Sequence, residues 1–263
     1  MKVFKDDGFS KACGAEINYG FYGRTGGVSE GIYSSLNCAW GSGDKKEFIK
    51  ANRNIVAQNL GSALSDVSTP WQCHSSHCAV VERALLVEEE RPEVDAFVTD
   101  KAGLPLGILT ADCGPVLFAG KNKNAAPVVG AAHAGWGGAL GGVLEDTVSK
   151  MQGLGAEIDS ITACVGPCIM QSSYEVMDDF MRPFVIKHEE AEAFFKSGQK
   201  AGHSHFDLSG YIAFRLSRCG VKNVRLMGVD TYQDEENCFS YRRATHRGES
   251  DYGRQMSCIV INR

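Results

Sequence analysis

Residues 125–144 read AAPVVGAAHAGWGGALGGVL, a stretch without Asp, Glu, Lys or Arg. Its length would span a bilayer. Pro127, His133 and six glycines argue against a membrane span, as do the small and β-branched residues of its first half and the lack of a basic flank or aromatic belt. The stretch predicts a buried strand over Val128–Ala132, a tight turn, and a helix from about Ala139 to Gly153.

Outward from this unit the segment types keep changing. Upstream, Lys45–Leu60 reads as an amphipathic helix, with Phe48, Ile49, Ile55, Val56 and Leu60 apolar and Gly61 as a stop. Short strands are expected at Cys78–Val81, Asp95–Thr99, Gly107–Thr110 and Val116–Phe118. Downstream come helices at Ser173–Phe184 and Leu208–Cys219, and strands at Ile158–Val165, Val224–Val229 and Ser257–Ile261. Mixing without strict βαβ alternation predicts the α+β (mixed α/β) class, with mixed β-sheets flanked by helices. No linker composition or repeat divides residues 1–263, so a single domain is expected.

With 43% hydrophobic and 22% charged residues in a chain of 263, a large core needs no disulfide or metal staple. A net charge of −5, with 27 dispersed Lys and Arg, gives no footprint for a polyanion, so nucleic acid is not an expected partner. The N-terminal MKVFKDDGFSK has neither an apolar core nor a cleavage site, which predicts a soluble cytoplasmic protein without a membrane partner. Nothing in the apolar pattern marks a self-complementary surface, and a monomer is the default. The ten cysteines are then expected as reduced thiols, with Cys13, Cys38, Cys219, Cys238 and Cys258 serving as small buried hydrophobes.

Chemistry concentrates in Trp71–Val81 (WQCHSSHCAVV), Leu109–Val116 (LTADCGPV) and Val129–Leu140 (VGAAHAGWGGAL). In each, His or Cys sits where an apolar strand meets a small-residue turn. A strand end fixes the Cα, and glycine beside it allows close approach. Zinc accepts imidazole and thiolate, and a catalytic site uses three protein ligands to leave a fourth position open. Taken singly, each residue reads first as a buried thiol or a core histidine. Cys73, His74, His77 and Cys78 form a rival local cluster, although neighbours on an extended strand point to opposite faces. A second rival is a thiol hydrolase in which Cys113 attacks and His133 is its base. Cys164–Ile169 (CVGPCI) offers a CxxxC spacing that reads better as a cleft-wall turn than as a redox pair. Gly23–Val28 (GRTGGV) and Ser240–Arg247 (SYRRATHR) are candidate anion sites, the first without the Lys-Ser/Thr pair of a P-loop.

These segments resemble the laccase-domain family, formerly called polyphenol oxidases and now viewed as purine nucleoside phosphorylases. The resemblance runs through RTGGV (24–28), SLN (35–37), Asn52-Arg53, Gln72–His74, Asp95 with Val98–Asp100, and GLPLGILTADCGP (103–115). It continues in HAGW (133–136), GPCI (166–169), SYEV (173–176) and FSYR (239–242). It implies the fold of YfiH-like proteins and His74, Cys113 and His133 as zinc ligands. It also implies phosphorolysis of adenosine, inosine and S-methyl-5′-thioadenosine, with adenosine deamination besides. Asp112, beside the ligand Cys113, is the candidate proton shuttle or orienting acid, and Arg24, Asn37 and Arg242 are the candidate substrate- and phosphate-binding residues. Copper is the alternative metal, but a copper-dependent polyphenol oxidase needs several coppers, and the chain has seven His, two already used. One position departs from the family pattern: Gly137 stands where a basic residue usually follows HAGW.

Overall fold

Residues Pro127–Ala134 do form a strand, antiparallel to Gly114–Lys121. The computed structural model describes residues 1–85 and 91–262. In chain order its elements begin with strand β1 (Val3–Phe4), helix α1 (Asp7–Cys13), β2 (Ile17–Tyr22), α2 (Lys46–Asn59), β3 (Cys78–Val80), β4 (Ala96–Thr99), β5 (Leu106–Thr110), β6 (Gly114–Lys121) and β7 (Pro127–Ala134). Then follow α3 (Trp136–Gly141), α4 (Val143–Gly153), β8 (Thr162–Val165), β9 (Glu175–Met177) and α5 (Arg182–Lys187). The last are β10 (Phe195–Ser197), β11 (His203–Phe206), α6 (Leu208–Arg218), β12 (Asn223–Leu226), α7 (Tyr241–Arg247) and β13 (Gln255–Ile261).

The largest sheet has the order β12-β8-β6-β7-β4-β3, antiparallel in its middle and parallel at both outer pairs. A second sheet has the order β1-β2-β13-β5, all antiparallel. The expected mixed α+β class is what the chain adopts.

Side-chain alternation explains how the sheets stack. Val116 and Phe118 of β6, with Ala132 and Ala134 of β7, face a core shared with Val143, Val148 and Met151 of α4 and Ile212 of α6. Leu117, Ala119, Val129 and Ala131 face the other way, onto Tyr19, Phe21, Ile108 and Ile259 of the second sheet. The far side of that sheet, with Tyr22, Cys258 and Val260, packs on Val56, Ala57 and Leu60 around α2. Four layers result: helix, sheet, sheet, helices. The uncharged strand β7 is thus covered on both faces.

Three expectations are corrected. Ser173–Phe184 is not one helix: it holds a 3-10 turn, strand β9, a second 3-10 turn and the start of α5. Pro183 sits in the first turn of α5, where its missing N–H costs nothing. Val176 instead pairs with Ser204 in a small third sheet, β10-β11-β9. The helix expected from Ala139 to Gly153 is two, broken at Gly142, whose φ of 123° is outside the helical region. The strand expected from Ile158 begins only at Thr162, after a 3-10 turn.

Candidate metal centre and its two cavities

The register of the hairpin brings two of the candidate ligands together. Pro115 pairs with His133 and Gly114 with Ala134, so Cys113, just ahead of β6, lies beside the end of β7. His74 reaches the same point from the loop before β3, with φ at 60°. The ligand atoms of His74, Cys113 and His133 lie within 4.8 Å of one another, the only such group of three among the described residues. His74 Nε2 is 4.0 Å from Cys113 Sγ, and the two imidazole rings meet edge to face. The space for this convergence comes from Gly135. A Cβ there would stand 3.0 Å from Cys113 Sγ and 3.1 Å from His74 Cδ2.

Asp95 organises the cluster. It opens strand β4, is fully buried, and its Oδ1 meets His133 Nδ1 at 2.7 Å, leaving Nε2 as the nitrogen for a metal. The same carboxylate accepts N–H bonds from Cys73, His74 and Ser75 and a hydroxyl bond from Ser75. One acid therefore orients one ligand ring and holds the left-handed turn that carries another. Burial would raise the Asp95 pKa, but the hydrogen bond and charge of His133 and the Ser75 bonds outweigh it and hold it at about 2. For Cys113 burial again opposes ionisation, and the charge and hydrogen bonds of His133 and His74 bring its pKa down to about 6. For His133 burial opposes the charged form, while Cys113 and Asp95 push the pKa up to about 10.

Two imidazoles and a thiolate suit zinc and copper alike. Tetrahedral donors around such an ion stand roughly 3.3–3.6 Å apart, so the set, within 4.8 Å, closes on one once its widest pair draws in by at most about 1.5 Å. The residues fit a three-ligand site with an open position.

Asp112 (φ 86°) is buried and turned inward. Its carboxylate accepts from Thr231 Oγ1 (2.6 Å), Ser240 Oγ (2.9 Å) and the Arg242 N–H (2.7 Å), and burial raises its pKa. It ties the Cys113 turn to the start of α7. Asn37 is buried and bonded to Ser42, Asp44 and the N–H groups of Ala39 and Arg254. Cys73 and His77 are exposed and Cys78 is a core residue, so the local cluster does not gather. Cys164 and Cys168 are buried free thiols, and Ile169 after them lines a cavity beside the centre.

Two cavities share His74, Ala111 and Cys113 as a common wall. The larger, about 300 Å³, also holds His133, Trp40, Trp71 and Arg254. The smaller, about 160 Å³, holds Trp136, Tyr174, Tyr241 and Arg242. Arg242 lies over the Tyr174 ring and donates to the Glu175 carbonyl. Arg24 is elsewhere, in a third cavity of about 210 Å³ without any of the three ligands; it donates to the Ser34 and Glu235 carbonyls and stacks on Phe239. Sequence reasoning gave Asp95, Gly135 and Arg254 no role. An acid opening an otherwise apolar strand was the available signal for Asp95.

Among solved structures, this fold is similar to a Neisseria meningitidis protein (TM-score 0.84, 32% identity, covering 100% of this chain and 99% of that one). It is also similar to YlmD from Geobacillus stearothermophilus (TM-score 0.83, 27% identity, covering 95% and 93%). Relatives named purine nucleoside phosphorylase include one of Streptomyces coelicolor, 38% identical over 86% of this chain and 90% of its own length. Another, of Bacteroides thetaiotaomicron, is 30% identical over 91% of this chain and 90% of its own. Residues 18–262 match the family described as multi-copper polyphenol oxidoreductase laccase, and the chain belongs to that family.

Proposed function

We propose that the chain is a zinc-dependent purine nucleoside phosphorylase acting on adenosine, inosine and S-methyl-5′-thioadenosine. The observation that carries this reading is the convergence of His74, Cys113 and His133 where two cavities share the first two as a wall, in a chain whose relatives bear that name. When bound, the ion supplies Lewis-acid polarisation beside the reacting centre. The reaction forms a bond from a phosphate oxygen to C1′ and breaks the C1′–N9 bond. The electron pair leaves with the base, and the proton of hydrogen phosphate ends on the base.

The chain's own residues bind and orient. Arg242 borders the ligand pair and binds substrate, Asn37 pins the backbone of Ala39 and Arg254 in the wall of the larger cavity, and Arg24 stands apart in its own cavity. Asp95 keeps His133 in one tautomer. Adenosine deamination at the same centre needs a proton carrier. The Asp112 carboxylate already accepts three hydrogen bonds, so phosphorolysis is the reading the geometry favours. Cys113, His133 and Asp95 also stand in the order of a thiol-hydrolase relay, the competing reading.

Elemental analysis paired with adenosine and inosine assays, with and without phosphate, decides among these. Free base formed only with phosphate, and abolished by chelation, is the expected result. Inosine from adenosine would mark deamination. Activity that survives chelation but not alkylation of Cys113 would establish the hydrolase. Fully metal-loaded protein that turns over neither nucleoside would overturn the assignment.

A further inference from the structure

The two cavities differ in charge as well as size. No Asp or Glu is among the described residues lining the larger one, whose wall carries Arg254, His74 and His133 beside Trp40, Tyr252 and Trp71, the last with Arg91 stacked on it. The smaller is walled by Trp136, Tyr174, Tyr241, Ile169 and Leu208; its one acid is the already bonded Asp112, and its guanidinium, Arg242, lies over Tyr174 and donates to the Glu175 carbonyl. An anion is favoured on the first side and a flat aromatic ring on the second.

Arg254 is built into the first side. Antiparallel pairing of β13 with β5 sets Gln255 against Thr110, so the preceding Arg254 stands beside Ala111, two residues from Cys113. Its backbone is pinned at both ends, the N–H donating to Asn37 Oδ1 and the carbonyl accepting from the Cys38 N–H. Its guanidinium stacks 4.1 Å from the Tyr252 ring centroid and is 25% exposed. Nη1 donates to the Tyr252 carbonyl at 3.3 Å, and Nη2 is 3.9 Å from Asp251 Oδ1, beyond hydrogen-bond reach. Asp251 Oδ2 is itself occupied by the Tyr33 hydroxyl and the Gly43 N–H. Among the described residues, Nε and Nη2 of Arg254 thus make no hydrogen bond. A stacked, backbone-anchored fork with open donors is suited to a phosphate. The third cavity differs: Arg243 there donates to three backbone carbonyls, and Arg247 is paired with Glu235.

We propose that Arg254 binds the attacking phosphate in the larger cavity, and that the purine base occupies the aromatic cavity across the His74–Cys113 wall. Displacement at C1′ brings nucleophile and leaving group to opposite faces of the sugar. A ribose seated at the shared wall, with its base in the small cavity, turns the far face of C1′ toward Arg254. The O–C1′ bond forms from that side as the C1′–N9 electron pair departs to the other. This inference rests on the phosphorylase reading and deepens it.

The test compares Arg254→Gln and Arg254→Lys with the wild type, as purified and with metal content measured. In Arg254→Gln the phosphate KM rises about 10- to 100-fold, while nucleoside KM and metal content stay unchanged. Arg254→Lys recovers part of the loss, since it restores the charge but not the fork. Calorimetric titration with inorganic phosphate alone reads the same weakening without turnover. An unchanged phosphate KM and phosphate affinity in both variants, or a rise in nucleoside KM instead, would overturn the proposal. A wild type without phosphate-dependent base release would instead sink the phosphorylase reading. The titration then decides Arg254 by itself: phosphate binding lost in the variants sustains it, and no binding by the wild type removes it.

Discussion

Asp95 Oδ1 and His133 Nδ1 face each other at 2.7 Å in the interior, and the same carboxylate holds the turn of His74. Two candidate ligands from separate segments are therefore aimed by one acid. Asp95→Asn replaces one acceptor oxygen by a donor where donors already converge. We expect metal affinity to fall about 10- to 100-fold, read by chelator competition, and stability to fall by about 1–3 kcal/mol, read by denaturant melts. Unaltered affinity would remove Asp95 from the design of the centre.

The depressed pKa of Asp95, about 2 against the usual 3.8, also has a sign in acid. The folded chain favours the ionised form, so its contribution is complete above pH ~4 and is lost as pH falls towards ~2. The acid unfolding limb of Asp95→Asn should accordingly be flatter than the wild type's in that window. Parallel limbs would contradict the assignment.

Cys113, near 6, contrasts with Cys13, Cys38 and Cys78, which burial pushes up to about 12. In chelator-treated protein, iodoacetamide should modify Cys113 with a midpoint near pH 6, and added zinc should protect it. Peptide mass spectrometry at Cys113 measures both. A midpoint at the ordinary thiol value would show that His133 and His74 do not stabilise the thiolate.

Gly135 and Gly137 are two residues apart and should respond oppositely. A methyl at Gly135 meets Cys113 and His74, whereas one at Gly137 meets nothing within 4 Å. Gly135→Ala is expected to keep the fold and lose about tenfold or more in metal affinity. Gly137→Ala is expected to leave the metal untouched and to gain up to about 1 kcal/mol from helix propensity in α3, seen as a higher Tm.

Asp112→Asn puts an amide against Thr231, Ser240 and the Arg242 N–H. Lower stability, full metal content and an unshifted pH–rate profile are expected. A loss of the order of 100-fold in turnover at full metal would give the carboxylate the proton-carrier role instead.

The two strands of the hairpin, though not their pairing, and the two candidate ligands beside them were legible because strand alternation and nearby glycines are local signals. His74 was legible only alongside them, since nothing near it selects it over His77. Segment 173–184 misled because Glu175, Val176 and Met177 owe their strand to pairing with His203, Ser204 and His205, a partner no local window contains. Arg254 was invisible for the same reason. It lies in plain DYGRQ, and the β13–β5 register alone carries it to the centre.

That hairpin has two ends with different duties. Its turn, residues 122–126, is closed by Asn122 Oδ1 accepting from the Asn124 and Ala126 N–H groups. Counted along the paired residues from Gly114 to Lys121, at ~3.4 Å each, the turn is roughly 24 Å from the ligands. It is a natural port for a fluorophore or an affinity tag, mechanically continuous with two of the metal donors yet too distant to crowd either cavity.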